Sequence, residues 1–152
     1  MVVVPTPTAS GTWPSTPMSE VEGDPGNYAI HYTSSVIESV AGEIWQQFGF
    51  LLNDGNAYDL SDYDGILFCG KRESSDLQSL SLRLTTYAAD PEDEEIYPAE
   101  GALLPSDWGL VKLPFDSSWP ITALEEAKNL EFIGDNGVEY DIWIDDVALY
   151  SE

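Results

Sequence analysis

From Tyr28 onward, apolar and polar positions alternate in short bursts separated by turn chemistry, the period-2 pattern of strands with one buried face. Tyr28-Ala-Ile-His-Tyr-Thr33 alternates in this way, and Leu80-Ser-Leu-Arg-Leu-Thr-Thr86 does so strictly, with Leu on one face and Ser81, Arg83 and Thr85 on the other. The apolar stretch from Trp45 to Leu52 predicts a strand ending at the turn signal Asn53-Asp54-Gly55-Asn56. Gly65 to Gly70, opened by Asp64, is a run of strand length, and Trp108 to Leu113 runs into Pro114. Asn129 to Ile133 and Tyr140 to Tyr150 are the last two strands; Asn136-Gly137 between them predicts a tight hairpin. The one helix expected is brief: Thr122 to Ala127, with Thr122 and Glu125 as a capping box. No repeat is visible. Short strands with Gly, Asn and Pro punctuation predict an all-β fold, a β-sandwich jelly roll with at most one helical turn.

Residues 1–17 read differently. Val, Pro, Thr and Ser dominate, and Pro-Thr alternation favours extended backbone, so this stretch reads as a linker or arm. Trp13 is the exception, an indole expected to dock on the compact domain, residues 18–152.

Composition narrows the function. A chain of 152 residues suits one domain. With 28 Asp+Glu against 5 Lys+Arg, the net charge of -23 repels phosphate backbones and anionic headgroups, so nucleic acid and membrane surfaces are not expected partners. The 5 Trp, 8 Tyr and 5 Phe argue for a folded chain despite that charge. Dense acids with few lysines also resemble salt-adapted proteins, whose stability rises as salt screens self-repulsion. No apolar run is long enough for a membrane-spanning helix. Met1 followed by Val2-Val3-Val4-Pro5 does not read as a signal peptide. The expected setting is extracellular, within a larger secreted protein, or else a virion or surface assembly. The single Cys69 excludes an internal disulfide and, within Ile66-Leu67-Phe68-Cys69, is expected as a small buried hydrophobe.

Three phrases, read together, carry a resemblance. Tyr58-Asp-Leu-Ser-Asp-Tyr-Asp-Gly-Ile-Leu-Phe68 with Lys71, Trp108-Gly-Leu-Val-Lys-Leu-Pro-Phe115, and Trp143-Ile-Asp-Asp-Val-Ala-Leu-Tyr150 stand in the order and spacing of carbohydrate-binding jelly rolls. The chain resembles galactose-binding-like modules, in particular the family-eleven β-glucan-binding modules and their relatives, over roughly residues 13–150. The resemblance implies non-catalytic binding of a polysaccharide chain, by a module that is monomeric alone and joined to other domains in its parent protein. It also implies a structural calcium. Such modules open with an acidic first strand; here the corresponding stretch carries no acid before Glu20.

Sugar recognition requires flat aromatic faces and planar hydrogen-bonding groups. Arg83 and Tyr87 are the first candidates, and His31, Trp45, Gln47 and Trp143 lie on strands expected to share their surface, forming one groove. The alternative is that the Trp residues are core and Arg83 answers a neighbouring carboxylate. Asp145 and Asp146 are the calcium candidates, because Ile144 and Val147 cannot both face inward without a local irregularity; Glu20 and Glu22, with Asp24, are the expected partners. Chance proximity of acids is the competing reading. Asp90-Pro-Glu-Asp-Glu-Glu95 reads as a solvated loop, and the acids of Asp59 to Gly65 stand at the wrong offsets for an EF-hand. One His and one Cys leave no multi-His metal set and no supported nucleophile–base pair, and carboxylates are too common to mark a glycosidase, so no enzyme is expected. The alternative function is a structural or adhesive jelly roll, such as a virion decoration or surface-layer subunit, with the N-terminal arm docked on a neighbour.

Overall fold

The computed structural model describes residues 2–3, 18–20, 28–34, 46–134 and 139–152. Two antiparallel sheets are stacked on one core. The first contains β1 (Val2–Val3), β2 (Met18–Glu20), β3 (Tyr28–Ser34), β5 (Gly65–Arg72), β9 (Gly109–Pro114) and β11 (Tyr140–Tyr150). Its order is β2-β3-β11-β5-β9, with β1 beside β11. The second contains β4 (Gln46–Leu51), β6 (Ser79–Thr86), β7 (Ile96–Pro98), β8 (Ala102–Leu103) and β10 (Ala127–Gly134), in the order β4-β10-β6-β7 with β8 on β6. Helix α1 (Ile121–Glu125) is short, and two 3-10 turns lie at Leu52–Gly55 and Pro91–Asp93. This is the β-sandwich that the alternating pattern predicts.

The same alternation explains the core. Leu80, Leu82 and Leu84 of β6, Leu130 and Phe132 of β10, Ile66 and Phe68 of β5, and Ile142 and Ile144 of β11 all point inward and are buried. Phe68 and Phe132 meet edge to face across the two layers, ring centroids 5.3 Å apart. That geometry suits the ring quadrupoles and ties one sheet to the other. Trp119 closes one end, its indole stacked on Phe115 and its Nε1–H donating to the Pro98 carbonyl at 2.8 Å. The turn signal at Asn53-Asp54-Gly55 takes positive φ at all three residues, the left-handed backbone that Asn, Asp and Gly tolerate best.

Three sequence expectations need correction. The tight hairpin does not form: β10 pairs with β4 and β6, whereas β11 pairs with β3 and β5, so the connection crosses between sheets. Asn136-Gly137 itself lies outside the described residues. A turn dipeptide favours a local reversal, but strand order is set by how the apolar faces of the whole chain close on one core, and here that places β10 and β11 in opposite layers. The capping box is not made either. Pro120 occupies the N-cap position without a side-chain cap, and Thr122 lies inside the helix. Finally, Cys69 is only half-buried. Strand alternation sends Ile66 and Phe68 inward and turns Cys69 to the outer surface, opposite Leu110 and Asp145.

Of the N-terminal stretch, Val2 and Val3 pair with Leu149 and Ala148 of β11. Trp13 lies outside the described residues.

Candidate functional site

The outward face of the second sheet is built from the polar halves of two adjacent strands. On β6 the positions alternating with the buried Leu residues are Ser81 and Arg83; on β10 they are Asn129, Glu131 and Ile133. The ladder sets Arg83 directly opposite Glu131, and the Arg83 Nε–H donates to Glu131 Oε2 at 2.8 Å. Both side chains are only 15% exposed, so this ion pair sits in the sheet's middle, partly screened from water. The next rung pairs Ser81 with Ile133, and the Ser81 hydroxyl donates to the Ile133 carbonyl. Asn129 Oδ1 is buried and accepts no hydrogen bond from the protein. On the neighbouring strand β4, Gly49 stands opposite Glu131. A Cβ there would lie 2.3 Å from the Leu130 carbonyl oxygen, so only glycine fits and the floor beside the ion pair stays bare. Tyr87 follows β6 at the end of this face, exposed, its backbone N–H on the Glu126 carbonyl. Gln47 lies in β4 opposite Ile133. Trp45 lies outside the described residues.

His31 and Trp143 are elsewhere. They belong to β3 and β11 of the first sheet, so the six candidates do not line one groove. The first sheet's outer surface carries a transverse row. His31 is opposite Trp143, and Trp143 is opposite Lys71. The His31 ring stacks on Trp143 with centroids 4.0 Å apart and planes 6° apart. Lys71 Nζ lies 5.7 Å from the Trp143 ring centre and 5.6 Å from that of Trp108. One face of Trp143 is thus taken by an imidazole, while an ammonium approaches the ring as well. His31 Nε2–H also donates to Asp141 at 2.7 Å, and Lys71 pairs with Glu73. Trp143 is neither core nor an open platform; it is one member of a stack.

The sequence reading missed Glu131, Asn129 and Gly49. The alternation of Asn129-Leu-Glu-Phe-Ile133 already placed Glu131 on a polar face. Its pairing with Arg83 depends on strand order and register, which alternation does not encode.

The Asp145-Asp146 irregularity is present: the β11–β5 register slips between Asp145 and Ala148, and Asp146 takes φ 52°. The Asp145 carboxylate accepts the Asp146 backbone N–H at 2.8 Å, so part of its bonding capacity is spent closing the bulge. Among the described residues, no cluster of three or more His, Cys, Asp or Glu side chains could hold a metal ion. The pair by itself therefore does not make a calcium cage. The Glu20 backbone pairs with Tyr28, while Glu22 and Asp24 lie outside the described residues. The Asp90–Glu95 run is tied inward at its end: Glu94 pairs with Lys128, the Glu95 backbone N–H donates to the Thr86 hydroxyl at 2.9 Å, and the Thr86 backbone N–H donates to the Glu95 carbonyl at 2.9 Å.

No family model matches this chain, and no curated protein does. Solved structures do. The chain is similar to a family 30 carbohydrate-binding module of a cellulosomal cellulase of Clostridium thermocellum, with TM-score 0.64 and 17% identity over 90% of this chain and 82% of that one. It is similar to a family 11 carbohydrate-binding module of the same organism in complex with a β-1,3-1,4-mixed-linked tetrasaccharide (TM-score 0.50, 15% identity, 83% of this chain and 85% of that one). A third neighbour comprises the CBM22-1 and GH10 modules of a Clostridium thermocellum endo-1,4-β-D-xylanase complexed with xylohexaose. It has TM-score 0.52 and 15% identity, over 86% of this chain and 23% of that one. At these identities the likeness shows a shared fold, the carbohydrate-binding-module β-sandwich.

Proposed function

We propose that this chain is a non-catalytic module that binds a neutral polysaccharide chain along the outward face of the second sheet, between Gly49 and Tyr87. The observation that carries the reading is the Arg83–Glu131 pair at mid-sheet, beside a floor on which Gly49 allows no side chain. A guanidinium and a carboxylate held by each other present planar donors and acceptors at fixed positions, which is what recognition of sugar hydroxyls requires. Tyr87 adds an exposed ring on which a pyranose can stack. A β-linked glucan or xylan chain fits this reading best, because one neighbour is complexed with a β-1,3-1,4-mixed-linked tetrasaccharide and the CBM22-1–GH10 modules of another with xylohexaose. Joined to other domains, such a module concentrates them on the polymer. The net charge of -23 disfavours polyanionic glycans.

The test is native affinity electrophoresis in gels containing barley β-glucan, xyloglucan, xylan, glucomannan or no polymer, each run with calcium and with EDTA. Retardation in one or two gels, lost in Tyr87→Ala while the melting temperature holds, supports the assignment. Migration unchanged in every gel would refute it and turn attention to self-assembly. Retardation lost only in EDTA would show that calcium takes part.

A further inference from the structure

A polar concavity lies away from the proposed binding face. It has a volume of about 320 Å³ and sits between the end of β3, the β5–β6 connection and the start of β11. Asp76, Glu139 and Asp141 line it, together with Thr33 and Ser74. Gln78 lines it too, and Gln78 is fully buried. The Gln78 Nε2–H donates to the Glu139 carbonyl, whereas its Oε1 has no hydrogen-bond partner in the protein. An orphaned buried acceptor is costly to a fold, so an unpaired amide oxygen in a polar cavity marks where a donor is to be supplied from outside.

The wall is held in shape. Arg72 spans the β5–β6 connection, donating from Nη1 to the Ser74 carbonyl at 2.6 Å and the Asp76 carbonyl at 3.3 Å, and from Nε to the Leu104 carbonyl at 3.1 Å. Its charge is thereby engaged by backbone oxygens, and among the described residues no Lys or Arg side chain lines the cavity. Asp141 is held in place by the His31 Nε2–H.

We infer that this cavity is a second saccharide subsite, one that takes a single neutral sugar unit or a chain end. The acceptor-rich lining calls for a ligand that donates many hydrogen bonds. A metal ion is the competing donor, but the acids do not converge in a set able to ligate one ion. Carboxylates spread along a wall suit hydroxyls arrayed around a ring, each oxygen pair accepting from neighbouring hydroxyls. Uronic acids are excluded by charge. The inference rests on the proposed glycan-binding function, yet it concerns a different surface, so the two fail separately.

The experiment is a ¹⁵N-edited NMR titration of the intact chain with methyl β-D-glucopyranoside, then methyl β-D-xylopyranoside, then calcium chloride alone. The expected result is saturable, millimolar-range shifts of the Gln78 side-chain amide and the Asp76 and Glu139 backbone amides with one of the glycosides. Asp76→Asn, at an exposed position whose backbone ties to Arg72 and Ser74 the change leaves in place, should weaken this at least tenfold while polysaccharide retardation persists. Arg83→Lys should leave the titration unchanged. Shifts at these amides with calcium but neither glycoside would overturn the inference in favour of a cation site. No shifts with any ligand would overturn it outright, and retained retardation in the gels would show that the reading of the second sheet's face survives.

Discussion

The two outer faces of this sandwich are made from the same kinds of side chain and use them oppositely. On the first sheet, His31, Trp143, Lys71 and Trp108 form a row in which each group rests against the next. On the second, Arg83 and Glu131 satisfy each other and Gly49 leaves bare backbone beside them. Among the described residues each face also holds one buried polar atom without a partner, Trp143 Nε1 on the first and Asn129 Oδ1 on the second. The first face has more rings, with Trp143 covered by His31 while Trp108 stays exposed; the second has fewer rings and a bare floor beside its ion pair. A tryptophan count therefore says little about where a sugar would bind, because a ring stacked on a neighbour has already spent the face that a pyranose would use.

The largest effect expected from breaking this contrast is at Trp143. Trp143→Ala removes the stack on His31 and a cation–π partner of Lys71, and should cost about 2–3 kcal/mol of stability, read by urea denaturation. Polysaccharide retardation should be unchanged. A variant that keeps its stability but loses retardation would reverse the assignment of the two faces.

Next is the ion pair. Arg83→Ala leaves a half-sheltered Glu131 without its partner and should lower stability by about 2 kcal/mol while abolishing retardation. The double variant Arg83→Met with Glu131→Leu should recover most of that stability, since an apolar pair avoids the desolvation cost, but none of the binding. Recovery of binding with stability would mean that the pair is structural only.

A smaller change is expected at the bulge. Asp146 holds φ 52°, a conformation that glycine adopts without strain. Asp146→Gly should add about 0.5–1 kcal/mol of stability, equally in calcium and in EDTA. A gain in EDTA that becomes a loss in calcium would identify Asp146 as a calcium ligand.

The smallest is a control remote from both faces. The Ser118 hydroxyl, and then its backbone N–H, hold the Asp116 carboxyl below its ordinary value of 3.8. A carboxyl lowered by folding contributes stability above the unfolded pKa, and that contribution is lost as pH falls through the lowered folded value. Ser118→Ala should bring the NMR titration midpoint back toward 3.8 without altering retardation in any gel.

Much of the architecture could be read along the chain. Leu80, Leu82 and Leu84 set against Ser81 and Arg83 named both faces of β6, and the conflict between Ile144 and Val147 located the bulge at Asp145–Asp146. The short strands β7 and β8 went unseen, because Ile96–Pro98 and Ala102–Leu103 are too brief to show a period. The candidate site was legible only in half. Arg83, Tyr87 and Gln47 belong to or adjoin one sheet, while His31 and Trp143 belong to the other, and nothing in either strand's own pattern states which neighbours it will have.

The chain alone determined that this protein is all-β, that each strand has a buried and an outward side, and which residue types stand on each. These follow from the two-residue repeat of an extended backbone and the free energy of removing apolar area from water, both local to the segment. Only the tertiary structure decided that β10 and β11 lie in opposite sheets, that Arg83 meets Glu131, and that Gln78 is buried with its oxygen facing no donor. Those outcomes depend on strand order and register. They are set by how the apolar faces of the whole chain close on one core, and no single segment carries that information.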